Sequence, residues 1–476
     1  MKTKPILQTT IIIIVCAFYG GYADSQDFKA TEIFDKIFKV ESHQDGEDGE
    51  EQIVIASDKG LVVLNSFSSE PTALRLKAGI AETLKRDDFL YLINMVDRLD
   101  RCGGNGAYEG IPIIGHKAFL DEYQGKDDVV SAEVNDMIGM WRWKADAARE
   151  RLPNYESGSE EAIGEQQWIS TCERRAEELE SGFSLILPTE TYEDRMTLNL
   201  GDLTLELIWF GKARRDGTTV IRIPELRLAL IPDDLLSPLH LAPHPNPRLK
   251  ELDVTRWIQV LVELLEGDNA VDSVLLCDFL NVVWSRERAH VHLDYIRKLW
   301  NAVRKADAEG KSLNEIYTQL SSDNDFAFVK QMPLYGDRGD EWVLPQHNMH
   351  IRAFFLQGKT VASVIIENAL PDSLPTALVK IRKLNNEGAD IYIEEAAINA
   401  IGYNLLNSEQ LASAVKVFEL NIELFPESFN VYDSYAEALM KSGDTQNAIL
   451  NYRKSLELNP ENENAREMLE TLKDKI

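Results

Sequence analysis

The stretch Leu92-Ile93-Asn94-Met95-Val96-Asp97-Arg98-Leu99-Asp100-Arg101-Cys102-Gly103-Gly104-Asn105 decides how this chain is read. An apolar β-type run from Phe89 to Asn94 opens onto a loop dense in arginine and aspartate, and a glycine pair follows. Outward from it, short β-rich runs at Ile53 to Ala56, Leu61 to Leu64, Ile111 to Ile114, Leu203 to Trp209, Thr219 to Ile223, Leu228 to Ile231 and Val274 to Leu276 alternate with helical stretches, the pattern of an α/β domain. From Lys126 to Glu180 the pattern turns polar and helical, broken at Asn154-Tyr155-Glu156-Ser157-Gly158, which predicts a helical hairpin inserted between two halves of the sheet domain. The acidic stretch Gln44 to Glu51 reads as a solvated turn before the second strand, and beyond Asp294 the chain reads as mostly helical.

The chain has 476 residues, 44% apolar and 27% charged, which are globular proportions with length for two or three domains. Fifty Lys plus Arg against 79 Asp plus Glu give a formal charge of -29, which argues against nucleic acid or an anionic lipid surface as a partner. Residues 1 to 23 read as a cleaved secretory signal. Lys2 and Lys4 precede an apolar run from Ile11 to Phe18 that is too short to span a bilayer, and Gly21-Tyr22-Ala23 supplies the small residues a signal peptidase needs. Val15 before Cys16 speaks against a lipid anchor, so the expected location is secreted or periplasmic with cleavage near Ala23. Cys102, Cys172 and Cys277 then remain, too sparse and odd a set for a disulfide framework.

The Leu92 to Asn105 segment resembles the zinc-binding loop of the metallo-β-lactamase superfamily, where a strand leads into H-x-H-x-D-H and then Thr-Gly-Gly-Asn. The resemblance continues in the family's order. Ile111-Pro112-Ile113-Ile114-Gly115-His116 is similar to the following strand, and Phe210-Gly211-Lys212-Ala213-Arg214-Arg215-Asp216-Gly217 to the segment bearing the next histidine. Leu230-Ile231-Pro232-Asp233-Asp234-Leu235 is similar to the loop with the bridging aspartate, and Leu275-Leu276-Cys277-Asp278 to the last ligand loop. This likeness covers roughly residues 50 to 310 and implies a four-layer αββα sandwich over 27 to 310, with the helical insertion at about 126 to 180.

The departures fall on the chemistry. By this correspondence the family's histidines land on Val96, Arg98, Arg101, Arg214 and Asp278, and only Asp100 and Asp233 keep the family's residue. Valine has no lone pair and guanidinium stays protonated without an acceptor atom, so the implied two-zinc site loses its donors, and neither a metal cofactor nor a catalytic residue is expected. Arg98, Arg101 and Arg214 against Asp100, Asp233 and Asp278 sum to zero charge, which predicts an internal ion-pair network in place of the cations; solvated surface charges are the alternative. His240 and His244 follow the Asp233 loop among prolines and are candidate residues of the cleft mouth, where an anionic small molecule is the expected ligand class. His116, His290, His292, His347 and His350 read as packing, capping or surface residues rather than ligands. Trp141, Trp143 and Trp168 read as packing within the insertion, with a recognition role as the alternative. No G-x-S-x-G elbow occurs, and no cysteine has a histidine in its own motif. In the superfamily the loops holding Cys102 and Cys277 converge on one site, which leaves two outcomes for that pair, a bridge or buried free thiols.

The C-terminus carries an internal repeat. Pro426 and Pro460 stand 34 residues apart, and the same offset pairs Ala414 with Ala448, Phe418 with Tyr452, Leu424 with Leu458 and Glu427 with Glu461. This resembles a tetratricopeptide (TPR) pair. Gly402 and Ala436 let the second helix of each unit approach at Ala414 and Ala448, Phe418 and Tyr452 fill the gap to the next unit, and proline stops the helix. Residues 311 to 394 then form a helical linker region, and 395 to 476 two repeats plus a closing helix from Asn464 to Lys475. Two functions of different class follow: an exported non-catalytic binding or scaffold protein that holds a protein partner through the TPR region, or a metal-dependent hydrolase with an altered metal site.

Overall fold

The computed structural model describes residues 28–42, 50–213, 215–232, 235–236, 252–277, 281–321, 329, 340–367, 369–370 and 373–472. The chain divides into two compact units between Phe354 and Phe355, inside the stretch read as a linker. The first unit holds two mixed sheets. One has seven strands in sequential order: β1 (Phe28–Phe34), β2 (Ile37–Ser42), β3 (Glu51–Ala56), β4 (Leu61–Leu64), β5 (Phe89–Ile93), β6 (Ile113–His116) and β7 (Glu190–Tyr192). Its first four strands pair antiparallel and its last three join in parallel. The other has six, from β8 (Arg195–Asn199) through β9 (Thr204–Trp209), β10 (Thr219–Ile223), β11 (Leu228–Pro232) and β12 (Ser273–Cys277) to β13 (Val282–Ser285), parallel only between β11 and β12.

Strand periodicity explains how these sheets pack. Successive side chains of a strand point to opposite faces, so Ile53, Ile55, Val62 and Leu64 join one core with Leu205, Leu207, Ile221, Ile223, Leu230 and Leu275 of the second sheet. Val54, Leu61 and Val63 turn the other way, into a core completed by Ala73 and Ile80 of the helix Glu70–Leu84. With both faces covered, β4 is apolar at every position, Leu61-Val62-Val63-Leu64. On the second sheet the helix Val254–Leu265 buries Trp257, whose ring stacks on Phe210 and whose Nε1 donates to the Lys212 carbonyl at 2.8 Å.

The insertion is a pair of antiparallel helices, Asp127–Arg151 and Glu160–Glu180, the second capped by the Ser159 hydroxyl on the Ala162 amide. One core joins Val134, Trp141, Ala145, Cys172 and Leu179 of the insertion to Leu99, Cys102, Phe119 and Tyr123. A second tie is ionic. The buried Glu50 carboxylate accepts from Arg75 at 3.0 Å and Arg174 at 2.7 Å, and Glu178 accepts from Arg75, Ser69 and Thr72, which clamps the second insertion helix to Glu70–Leu84. Among the described residues no helix is long and apolar enough to cross a membrane.

The second unit is helical apart from a short two-stranded pairing of Thr360–Val361 with Ile391–Tyr392. Its last five helices are Glu395–Asn407, Leu411–Leu424, Phe429–Lys441, Thr445–Leu458 and Glu463–Leu472. Ala414, Phe418, Ala436, Ala448 and Tyr452 are all fully buried. A Cβ on Gly402 would lie 2.5 Å from the Phe418 ring, so the small residue is what lets these two helices close on each other. The second and fourth helices stop two residues before Pro426 and Pro460 respectively, where the missing amide would break the ladder.

Candidate functional site

Five segments build the site: the end of β5, the loop after it, the helix Ala118–Tyr123, the first insertion helix and the turn before β10. Side-chain amides fix the loop's frame. Asn94 and Asn105 exchange hydrogen bonds of 3.0 and 2.9 Å, Ser66 donates to Asn105 at 2.7 Å, and Asn65 Oδ1 accepts from the Met95 amide at 2.9 Å. A backbone bond of 2.7 Å from the Thr219 amide to the Met95 carbonyl ties this loop to the second sheet.

Within that frame Val96 is fully buried and offers no donor atom. Asp100 lies in the one-turn helix Leu99–Cys102 and receives Arg98 in a two-point pair, Nε to Oδ1 at 2.9 Å and Nη2 to Oδ2 at 2.5 Å. Arg101 stands farther off, 4.0 Å from the same carboxylate, with its guanidinium over the Phe67 ring. Burial pushes the Asp100 carboxyl up, but Arg98 and Arg101 more than offset it and hold the group below the usual carboxylate range. Of the residues expected in the cleft network, Arg98, Arg101 and Asp100 come together. Arg214, Asp233, Asp278, His240 and His244 lie outside the described residues.

A second ionic group adjoins the loop, and the sequence reading missed it. Arg215, one residue past the expected Arg214, reaches Glu133 of the first insertion helix at 3.3 Å and the Tyr123 hydroxyl at 3.4 Å. Tyr123 donates toward Glu133 at 2.9 Å and the Asp97 carbonyl at 3.0 Å. The buried Asp97 accepts from the Gly217 amide at 3.1 Å through Oδ2, while its Oδ1 has no hydrogen-bond partner among the described residues. Burial pushes Asp97 up to about 6, with Arg215 opposing the shift. The only sequence signal for this group was the Arg214-Arg215 doublet, which leaves the register ambiguous by one.

Asp97 gives a pH prediction. A carboxyl that ionises near 3.9 unfolded and near 6 folded binds more protons in the native state between those values, so its contribution falls as pH rises through that window and is constant above it. Asp97→Asn, which cannot ionise, is therefore expected to gain about 2 kcal/mol relative to the parent between pH 4.5 and 7.5. Urea unfolding of both proteins at the two pH values checks this; a stability difference that does not move with pH would refute it.

The remaining candidates pack or pair within the fold, apart from Trp143. His116 stacks on Trp209 with centroids 5.2 Å apart, its Nε2 2.7 Å from the Glu193 carbonyl. His290 pairs with Glu266 at 2.9 Å, and His292 stacks on Trp284. His347 and His350 both face the buried Tyr295 hydroxyl. Trp141 packs edge-on to Trp168 beneath Lys144 and Arg175, whereas Trp143 is 68% exposed. Cys102, Cys172 and Cys277 are buried free thiols, so the Cys102 to Cys277 bridge is not formed. Among the described residues no cluster of three or more His, Cys, Asp or Glu has metal-holding geometry. Valine without a lone pair and a carboxylate occupied by arginine do not fit a zinc site.

No protein-family model matches the chain, and no curated protein sequence matches it. Solved structures do. A stereoselective inverting sec-alkylsulfatase from Pseudomonas sp. is 14% identical, covering 93% of this chain and 64% of its own, with a TM-score of 0.44. A metallo-beta-lactamase from Pontibacter korlensis is 12% identical over 57% of this chain and 99% of its own, with a TM-score of 0.35. One from Erythrobacter litoralis, with beta mercaptoethanol in its active site, is 9% identical over 57% and 96%, with a TM-score of 0.34. This chain thus spans less than two thirds of the sulfatase's length, and the solved structures it is similar to include metallo-β-lactamase fold proteins.

Proposed function

We propose that this chain is an exported, non-catalytic relative of the metallo-β-lactamase superfamily, with a four-layer αββα domain whose metal centre is replaced by ion pairs and a C-terminal TPR pair that holds a protein partner. The two-point Arg98 to Asp100 pair carries the reading. It occupies the surviving acidic ligand with a cation that cannot leave by deprotonation, beside a ligand position filled by buried Val96. The core shared between two sheets, with helices packed on their far faces, supports the layered fold. The close approach of Gly402 to Phe418 and the burial of Ala414, Ala436, Ala448 and Tyr452 support the repeat pair. Arg98 and Arg101 at the cleft favour an anionic small molecule as a second ligand.

Metal analysis of the purified protein tests the reading against a hydrolase with an altered metal site. Dialysed protein is expected to retain far less than one zinc per chain, since structural zinc sites hold their ion by on the order of 10 kcal/mol or more and would survive the same treatment. One tightly held zinc per chain would overturn it.

A further inference from the structure

Asp433 and Glu437 stand one turn apart on the helix Phe429–Lys441, so their carboxylates share a face. Two neighbouring helices close on them. Tyr403, from the helix Glu395–Asn407, donates to Glu437 at 3.1 Å; Asn462 and Asn464, at the start of Glu463–Leu472, donate to the two oxygens of Asp433 at 2.9 and 2.8 Å. Lys441 pairs with Glu437 at 2.9 Å, but Asp433 is met by neutral amides, and among the described residues no cation pairs with it. Behind the carboxylates lies Tyr452. Its side chain is fully buried, its hydroxyl has no hydrogen-bond partner among the described residues, and the charges of Asp433 and Glu437 act on it.

A half-buried carboxylate held only by amides beside a second carboxylate costs free energy through desolvation and like-charge repulsion, and an unpartnered buried hydroxyl adds to that cost. A cationic group laid over Asp433 and Glu437 relieves the repulsion and offsets the charge that both impose on the buried Tyr452 hydroxyl. Four helices supply the cluster, so it is not the surface of any one of them.

We propose that Tyr403, Asp433, Glu437 and Tyr452 form a site for a lysine or arginine side chain carried on a basic segment of a protein partner. This rests on the reading of residues 395 to 476 as a partner-binding repeat pair and gives that partner a chemistry. The chain's net charge of -29 favours encounter with a basic segment but does not specify where it docks. The carboxylate pair specifies the place.

The test is fluorescence anisotropy with the full chain and an end-capped, labelled peptide of alternating lysine and alanine, at about 150 mM salt to screen general attraction. An otherwise identical peptide with glutamate for lysine serves as the second probe. The lysine peptide is expected to bind. The double variant Asp433→Asn, Glu437→Gln should weaken it about tenfold or more, whereas Glu457→Gln, an exposed carboxylate on the next helix, should change it less than about twofold. Tyr452→Phe keeps the packing and removes only the hydroxyl, and should weaken binding about threefold with no loss of melting temperature. Equal weakening by Glu457→Gln, or indifference to the double variant, would overturn the site. Binding of the glutamate peptide alone would leave a peptide-binding surface and overturn its cationic preference; binding of neither would remove both.

Discussion

Arg98→Ala is expected to lower the stability of the first unit by about 3 kcal/mol, because it leaves Asp100 in its loop without the guanidinium that holds both of its oxygens. The two side chains are 16% and 28% exposed, so water screens the orphaned charge only in part. Arg101→Ala should unsettle Asp100 less than Arg98→Ala does, since its guanidinium stands 4.0 Å from that carboxylate. Removing both partners, as Arg98→Ala with Asp100→Ala, should recover most of the loss, which distinguishes an uncompensated charge from lost packing. Urea unfolding of the three variants at neutral pH measures this. An Arg98→Ala protein as stable as the parent would mean that the pair is solvated and that the loop is held by its amides alone.

Gly104→Ala is expected to be at least as damaging, about 3 kcal/mol or more, for a steric reason. A Cβ at this position would lie 2.1 Å from the Ser66 carbonyl oxygen, 2.5 Å from the Ala73 Cβ and 2.7 Å from the Ser69 carbonyl oxygen. None of these is the free end of a flexible side chain. Backbone bonds from Gly104 to the Phe67 carbonyl at 3.0 Å and from Ser66 to the Arg101 carbonyl at 2.7 Å prevent the two segments from parting. Gly110→Ala is the control: nothing lies within 4 Å there, so only its φ of +99° matters, and about 1 kcal/mol is expected. Calorimetry on both variants separates the cases, and comparable losses would show that the Gly104 contact relaxes.

These two residues mark how far the sequence could be read. The glycine pair and the alternating charges were legible as a motif because they are local. The reason for glycine was not, because Ser66 comes within reach only through the isolated bridge of Phe67 to Cys102. Strands buried on both faces, such as Leu61–Leu64, announced themselves by unbroken apolar runs. The edge strands did not: Phe28–Phe34 has no fully buried residue and mixes Thr31 and the exposed Lys29 and Glu32 into its pattern, and Val282–Ser285 leaves Val282 and Val283 exposed. Glu133 and Arg215 escaped notice because each reads as a solvated surface charge, and only the docking of the insertion sets them opposite one another. At the C-terminus a fixed period made the packing residues legible together, while the Asp433 and Tyr452 cluster depends on which helices share a face.

The shared core of Leu99 and Cys102 with Val134, Trp141 and Cys172 has a consequence for motion. A loop that approaches substrate is ordinarily drawn from the least stable part of a protein and opens without disturbing the rest. Here, releasing Leu99–Cys102 would expose the inner face of the insertion. Loop and hairpin are therefore expected to open as one unit, with backbone amides from both exchanging with solvent as one cooperative class, not as a mobile rim over a rigid scaffold.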